Sequence, residues 1–162
     1  MQYLLRLFIL ASLIGVTLGC EGPELPNKKK RQSSVENFPE SSSAGAKVDG
    51  ELITTASGLK YKDLREGSGP AAKNGDLVAV HYAGYLKDGT QFDSNVTSSP
   101  FTLTLGKAQV IKGWDEGLVG MKAGSERKLI IPADLAYGLR GSPPRVPENA
   151  ELTFNVQMVK IY

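Results

Sequence analysis

Period-two alternation of apolar and polar side chains dominates the last two-thirds of this chain. Leu152-Thr153-Phe154-Asn155-Val156-Gln157-Met158 and Phe101-Thr102-Leu103-Thr104-Leu105 put every second residue on one apolar face, which predicts strands with one side buried. Residues 76–86 form a longer candidate strand, with Leu77, Val78, Val80, Tyr82 and Tyr85 supplying β-branched and aromatic content. Asp88-Gly89 is a hairpin-turn dipeptide, and the chain returns through Thr90-Gln91-Phe92-Asp93. Lys128-Leu129-Ile130-Ile131, stopped by Pro132, and the partly alternating 59–64 segment before Gly67-Ser68-Gly69-Pro70 add short strands. Eighteen glycines serve the turns that such a sheet needs.

One segment has a different period. Trp114, Leu118 and Met121 fall at i, i+4 and i+7, which predicts a short helix with one apolar face. Gly124 is its expected stop, and Lys122 is placed to meet the negative end of its dipole. One short helix on an antiparallel sheet is an α+β arrangement.

Several function classes are excluded early. The formal net charge is +2, too small to argue for a nucleic-acid partner or an acidic substrate. The basic run Lys28-Lys29-Lys30-Arg31 reads as solvated linker. With a single cysteine, Cys20, and a single histidine, His81, no internal disulfide forms and no Cys/His metal site is expected. His81 precedes Tyr82 on a strand and therefore faces the opposite side, so it is read as structural and not as a base.

The chain start reads as an address. Arg6 is a positive n-region, Leu7 to Leu18 is an apolar run of about 12 residues, and no acid precedes Glu21. That run is too short to span a bilayer comfortably. Small Gly19 stands before Cys20, an arrangement that resembles a bacterial lipoprotein signal. Residues 1–19 would be removed, and Cys20 would be lipidated as the new N-terminus. Thr17 stands where such signals usually carry Leu; the plainer alternative is a cleaved signal with an incidental cysteine. The resemblance implies an exported protein, lipid-anchored at the bacterial cell envelope. Residues 20–52, with Pro23, Pro26, Pro39 and Ser41-Ser42-Ser43, lack apolar periodicity and are expected to be a disordered tether. Its coil dimension would be roughly 30 Å. Residues 53–162 are the expected folded domain.

Within that domain a set of blocks occurs in order: Val80-His81-Tyr82-Ala83-Gly84, then residues 88–94, Pro100-Phe101, Leu105-Gly106, residues 110–118, Ala136-Tyr137-Gly138 and Val146-Pro147. From about Ser57 to Tyr162 the chain resembles the FKBP-type peptidyl-prolyl cis–trans isomerases. The resemblance implies an antiparallel five- to six-stranded half-barrel wrapped on one short helix, with an apolar pocket for a proline ring between them. By position, Tyr82, Phe92, Asp93, Trp114, Tyr137 and Phe154 would be the catalytic set, with Trp114 as floor. Phe101, Val110, Ile111 and Val146 would complete the substrate-binding lining. Taken singly, Trp114, Phe101 and Phe154 are explained by core packing, Tyr82 and Tyr137 by satisfied tyrosines, and Asp93 by a turn.

Rotation about an X–Pro bond passes through a twisted amide, with a barrier of about 18–20 kcal/mol. No bond is made or broken, so no metal or cofactor is expected. The implied partners are proline-containing segments of exported proteins, macrolide inhibitors and, through the anchor, a membrane; a monomer is expected. The alternative function is a weakly catalytic or non-catalytic proline-binding chaperone module of the same fold. This sequence departs from the family pattern in two loops. Residues 94–99 contain no basic residue to pair with Asp93, and Arg140 and Arg145 stand in the loop beside the pocket where apolar residues are usual. These arginines predict a preference for an acidic residue near the proline.

Overall fold

A computed structural model of the chain describes Val48 and residues 50–162. The expected signal, the expected lipidation site Cys20 and most of the expected tether lie outside the described residues.

Strands β1 (Ile53–Thr54), β2 (Lys60–Arg65), β3 (Ser68–Ala71), β4 (Leu77–Leu86), β5 (Gln91–Ser94) and β6 (Phe101–Thr104) precede helix α1 (Lys112–Gly117). Strands β7 (Lys122–Ala123), β8 (Glu126–Ile131) and β9 (Leu152–Ile161) follow it, with two 3-10 turns, Ala133–Leu135 and Gly138–Arg140, between β8 and β9. One antiparallel sheet runs β1-β2-β8-β9-β4-β5, and β6 joins it by pairing with the first half of β4. Strands β3 and β7 pair separately. This is the α+β architecture that the alternation predicts. The sheet has seven strands against an expected five or six, because the two-residue β1 adds to one edge. That edge extends further back. Val48 N–H donates to the Leu64 carbonyl (3.1 Å) and Gly50 N–H to that of Asp63 (3.2 Å), so the end of the span expected as tether pairs with β2.

Cross-strand register decides which side chains share a face. Val80, Tyr82 and Gly84 of β4 lie opposite Met158, Val156 and Phe154 of β9. Phe154 in turn faces Leu129 of β8, and Phe101 of β6 faces Val80. The inward side of this face is buried: Val80, Leu103, Leu129, Val156 and Met158 are all at most 2% exposed.

Helix α1 lies on β8 through two glycines. A Cβ on Gly113 would fall inside the Ile131 side chain, and one on Gly117 would sit 2.7 Å from a Leu129 methyl. The spacing fits: four helical residues rise about 6 Å, and two strand residues span about 6.6 Å. Residues Gly113 and Gly117 therefore stand over Ile131 and Leu129 in step. The next inward residue of β8, Arg127, ends the helix. Its Nη1 donates to the carbonyls of Gly117 (2.9 Å) and Val119 (3.3 Å), and its other nitrogens hold Asp63 (Nε to Oδ1, 2.6 Å).

The helix is shorter than its apolar spacing predicts. It closes at Leu118, whose N–H donates to the Trp114 carbonyl, and Gly120 at φ +85° turns the chain away. Met121 is buried, but from a loop that accepts the Ala72 N–H at 2.8 Å. Lys122 belongs to β7 and pairs with Glu66 at 3.0 Å instead of meeting the helix end. Spacing of apolar residues reports burial, and a buried loop satisfies it as well as a helix.

Candidate active site

Trp114 starts the buried side of α1, and three strands bring rings to it. Tyr82 from β4 lies edge-on at 5.0 Å between centroids, with planes 81° apart. Phe154 from β9 lies at 5.3 Å and 85°, and Phe101 from β6 at 6.4 Å and 74°. Phe92 from β5 packs edge-on against Phe154 at 5.5 Å. Edge-to-face pairs of this kind each contribute about 0.5–1.5 kcal/mol beyond area burial.

Two backbone devices permit the cluster. Gly84 leaves the space that Phe92 and Phe154 fill: a Cβ there would stand 2.7 Å from Phe154 Cε1 and 2.8 Å from Phe92 Cζ. The second is a bulge. Gly84 pairs with Asp93 but Tyr85 pairs with Gln91, which leaves Phe92 as the extra residue on β5. Strict alternation would send Phe92 and Asp93 to opposite faces; the bulge turns both towards Tyr82 and Phe154.

The polar part of the site is small. Tyr82 O–H donates to Asp93 Oδ2 at 2.9 Å, and Asp93 Oδ1 accepts the Ser94 N–H at 3.0 Å. These two donors answer the question of what holds Asp93 in the absence of a basic loop residue. Burial, the hydrogen bond to Asp93 and the Asp93 charge push the Tyr82 phenol up to about 12, aided by nearby Tyr137 and opposed by Arg145. The Trp114 indole N–H is buried with no acceptor among the described residues.

Three residues that alternation does not mark hold the walls in place. Asn95 accepts the Tyr82 N–H at 2.7 Å and donates to the Val80 carbonyl at 3.2 Å, binding the 95–99 loop to β4. Its position just after a strand, where side-chain amides replace backbone partners, is the signal that would have found it. Asp115 accepts the Gly106 N–H (2.9 Å) and the Ala108 N–H (3.0 Å), which fixes the segment leading to half-buried Val110 and Ile111. Arg127 fixes the helix end, as described above. His81 sits on the opposite face, 8% exposed, with Nδ1 3.2 Å from the Asn95 carbonyl. A carbonyl only accepts, so Nδ1 carries the proton.

Of the residues named from the sequence, Tyr82, Phe92, Phe101, Trp114 and Phe154 form the ring cluster and Asp93 is bonded to it through Tyr82. Val110 and Ile111 pack against the same core, and Cys20 lies outside the described residues. Val146 is 3% exposed and packs in the same core as Trp114 and Phe154. Tyr137, from the turn between the two 3-10 segments, is 42% exposed, as is Phe101. The indole itself is 4% exposed, so solvent meets the rim and not the floor. Two cavities open elsewhere on the surface. One of about 430 Å³ is lined by Asn74, Gly106, Lys112, Asp115, Glu116 and Val119, and one of about 190 Å³ lies beside Asp63, Arg65 and Arg127. Neither includes a ring of the cluster.

Residues 69–159, which contain the whole cluster, match the family described as FKBP-type peptidyl-prolyl cis-trans isomerase. The chain belongs to this family. Among FKBP relatives, "FK506-binding protein" of Neisseria meningitidis serogroup B is 49% identical over 106 residues, covering 65% of this chain and 97% of the relative. "FK506-binding protein 4" of Rhizopus delemar is 49% identical over 111 residues, 68% of this chain; the match spans only 29% of that longer protein. Of solved structures, AtFKBP13 aligns with a TM-score of 0.64 at 36% identity, covering 69% of this chain and 99% of its own. The antiparallel sheet with one short helix is therefore an FKBP fold.

Proposed function

We propose that this chain is a peptidyl-prolyl cis–trans isomerase that works by non-covalent stabilisation of a twisted X–Pro amide. The observation that supports it most is the convergence of Tyr82, Phe101 and Phe154 edge-on upon Trp114, beside a single Tyr82–Asp93 hydrogen bond. The planar amide is resonance-stabilised and polar. At the twisted state the resonance is lost and the nitrogen becomes pyramidal. An apolar seat that fits the twisted form better than the planar one lowers the barrier by differential binding, at about 1.4 kcal/mol for each tenfold in rate. The proline ring takes the indole floor and the Phe92, Phe101 and Phe154 walls. The substrate carbonyl takes a proton donor from Tyr137, whose hydroxyl has no hydrogen-bond partner among the described residues. Trp114 is only 4% exposed, so the side chains over it move aside as the proline enters.

A protease-free proline-isomerisation assay on the full chain tests this. Trp114→Ala and Phe92→Ala are expected to lower kcat/KM at least tenfold, with the thermal transition kept as a control for folding. Peptide binding without any acceleration over the spontaneous rate would replace the enzyme with a proline-binding chaperone module. Relatives named as FK506-binding proteins support the further proposal that macrolides occupy the same seat. Trp114 is the only tryptophan in the chain, so its emission reports their binding directly.

We further propose that the domain works outside the cytoplasm, lipidated at Cys20 and held at the bacterial envelope, where it acts on exported polypeptides. The residue pattern of positions 1–20 supports this reading. Mass spectrometry of the mature N-terminus tests it: a diacylated or triacylated Cys20 is expected, and an unmodified cysteine or an intact Met1 would reject it.

A further inference from the structure

Beside the proposed proline seat stands a guanidinium, that of Arg145, with no ion-pair partner among the described residues. Ser142 and Val146 exchange backbone hydrogen bonds, each at 2.9 Å, and Arg145 N–H donates to the Ser142 carbonyl at 3.1 Å, so the 142–146 turn is clamped. Val146, the next residue, is 3% exposed in the core that contains Trp114 and Phe154. At the foot of the turn, a Cβ on Gly141 would overlap the Val146 and Pro147 carbonyls, which packs the turn onto the chain behind it. Arg145 is therefore fixed by its backbone one residue from the pocket wall, with an exposed side chain. No carboxylate among the described residues forms an ion pair with it. Asp93, the acid inside the site, is occupied by the Tyr82 hydroxyl and the Ser94 N–H. The Arg145 charge also reaches the Tyr82 phenol, as the smallest of the influences there and the one that opposes Asp93 and Tyr137. Arg140 stands differently, on a separate 3-10 turn beside Leu139, which is 73% exposed.

We infer that Arg145 is a specificity-determining residue, whose guanidinium at the rim selects proline peptides with an acidic residue beside the proline. This rests on the isomerase reading above. A bound peptide with a carboxylate flanking its proline supplies the counter-charge that Arg145 lacks among the described residues. An exposed ion pair of this kind shifts a ratio of rates by about two- to fivefold.

The test uses the full chain and matched peptides that differ only in Glu against Gln, placed before the proline in one pair and after it in another. In low salt, kcat/KM for one Glu peptide is expected to exceed that of its Gln partner about two- to fivefold. The ratio falls to about one in 1 M salt, where charges are screened beyond about 3 Å. Arg145→Ala brings the ratio to about one, Arg145→Glu takes it below one, and Arg140→Ala keeps it. Equal rates for Glu and Gln peptides in low salt, or a preference that survives Arg145→Ala or is lost in Arg140→Ala, overturn the inference. Affinity read from Trp114 emission separates the two claims. Glu-favoured binding without turnover sustains the role of Arg145 and rejects catalysis, and a chain that neither binds nor turns over any of the peptides rejects both.

Discussion

The Tyr82 phenol is kept neutral by its surroundings, first by burial and then by the bond to Asp93 and the Asp93 charge. Its hydroxyl is a proton donor across the physiological range. In the unfolded chain it titrates near 10, and in the fold it is raised to about 12. Below pH 10 both states keep the proton and its full contribution is present. Between pH 10 and 12 the unfolded chain loses the proton first, so the contribution fades as pH rises through the folded value. Tyr82→Phe lacks this titration. The melting-temperature gap between wild type and Tyr82→Phe is therefore expected to be constant up to pH 10 and to narrow from there to pH 12. A gap that stays constant through pH 12 would mean that the phenol is not held neutral. Gln157 makes a second case. It is 0% exposed, and neither amide atom has a hydrogen-bond partner among the described residues. A buried polar group without a partner costs about 1–3 kcal/mol. The near-isosteric Gln157→Met is expected to raise stability by about 1 kcal/mol, measured as a higher denaturation midpoint; a lower midpoint would show that the amide is satisfied. The alternation of β9 places Gln157 with Thr153 and Asn155 on the polar face, and those two are half-buried where Gln157 is sealed. Residue pattern tells which face a side chain takes, and not how deeply that face is covered.

Helix α1 is held at its closest approach to β8 by the absence of two side chains, so the seating of Trp114 depends on Gly113 and Gly117. Gly113→Ala forces Ile131 aside and is expected to cost about 1–3 kcal/mol while shifting the Trp114 emission. Pairing it with Ile131→Ala removes the atoms in conflict. The double variant should then lose clearly less than the two single losses combined; simple additivity would mean that the helix does not rest on that contact. The sequence shows why such elements are found unequally. Strands β6 and β9 announce themselves by alternation and β4 by its β-branched and aromatic content, and these with the helix hold Tyr82, Phe101, Phe154 and Trp114; Phe92 on β5 and Tyr137 on a turn lie outside any such pattern. The bulge that unites Phe92 with Asp93 leaves no mark, since it is a property of pairing between strands. The β3–β7 pair and the Gly50 edge lack any apolar period, because they are held by backbone bonds and not by a buried face. Glycines at 113 and 117 look like helix breakers in a sequence, and become intelligible only when Ile131 and Leu129 are seen beneath them.

At the scale of the molecule, the last strand in the chain occupies the middle of the sheet. Strand β9 pairs with β4 on one side and β8 on the other. It also contributes Leu152, Phe154, Val156 and Met158 to the core, all at most 3% exposed. Without it, β4 and β8 expose unpaired backbone, and the two halves of the sheet have no common core. The site has no independent existence either, because Phe154 of β9 is one of the three rings around Trp114. Pairing β4 with β9 closes a loop of about 70 residues before any of its contacts form, so folding is expected on the millisecond-to-second scale of non-local β topologies. A chain ending at Glu151 is expected to show no cooperative thermal transition and to leave Trp114 emission at the wavelength of a solvent-exposed indole. Adding back a peptide of residues 152–162 should restore a blue-shifted emission, since the strand is supplied in trans to two waiting edges. A truncated chain that melted sharply by itself, with its indole already shielded, would mean that α1 and the remaining strands form a core of their own and that the proline seat is built on them without β9.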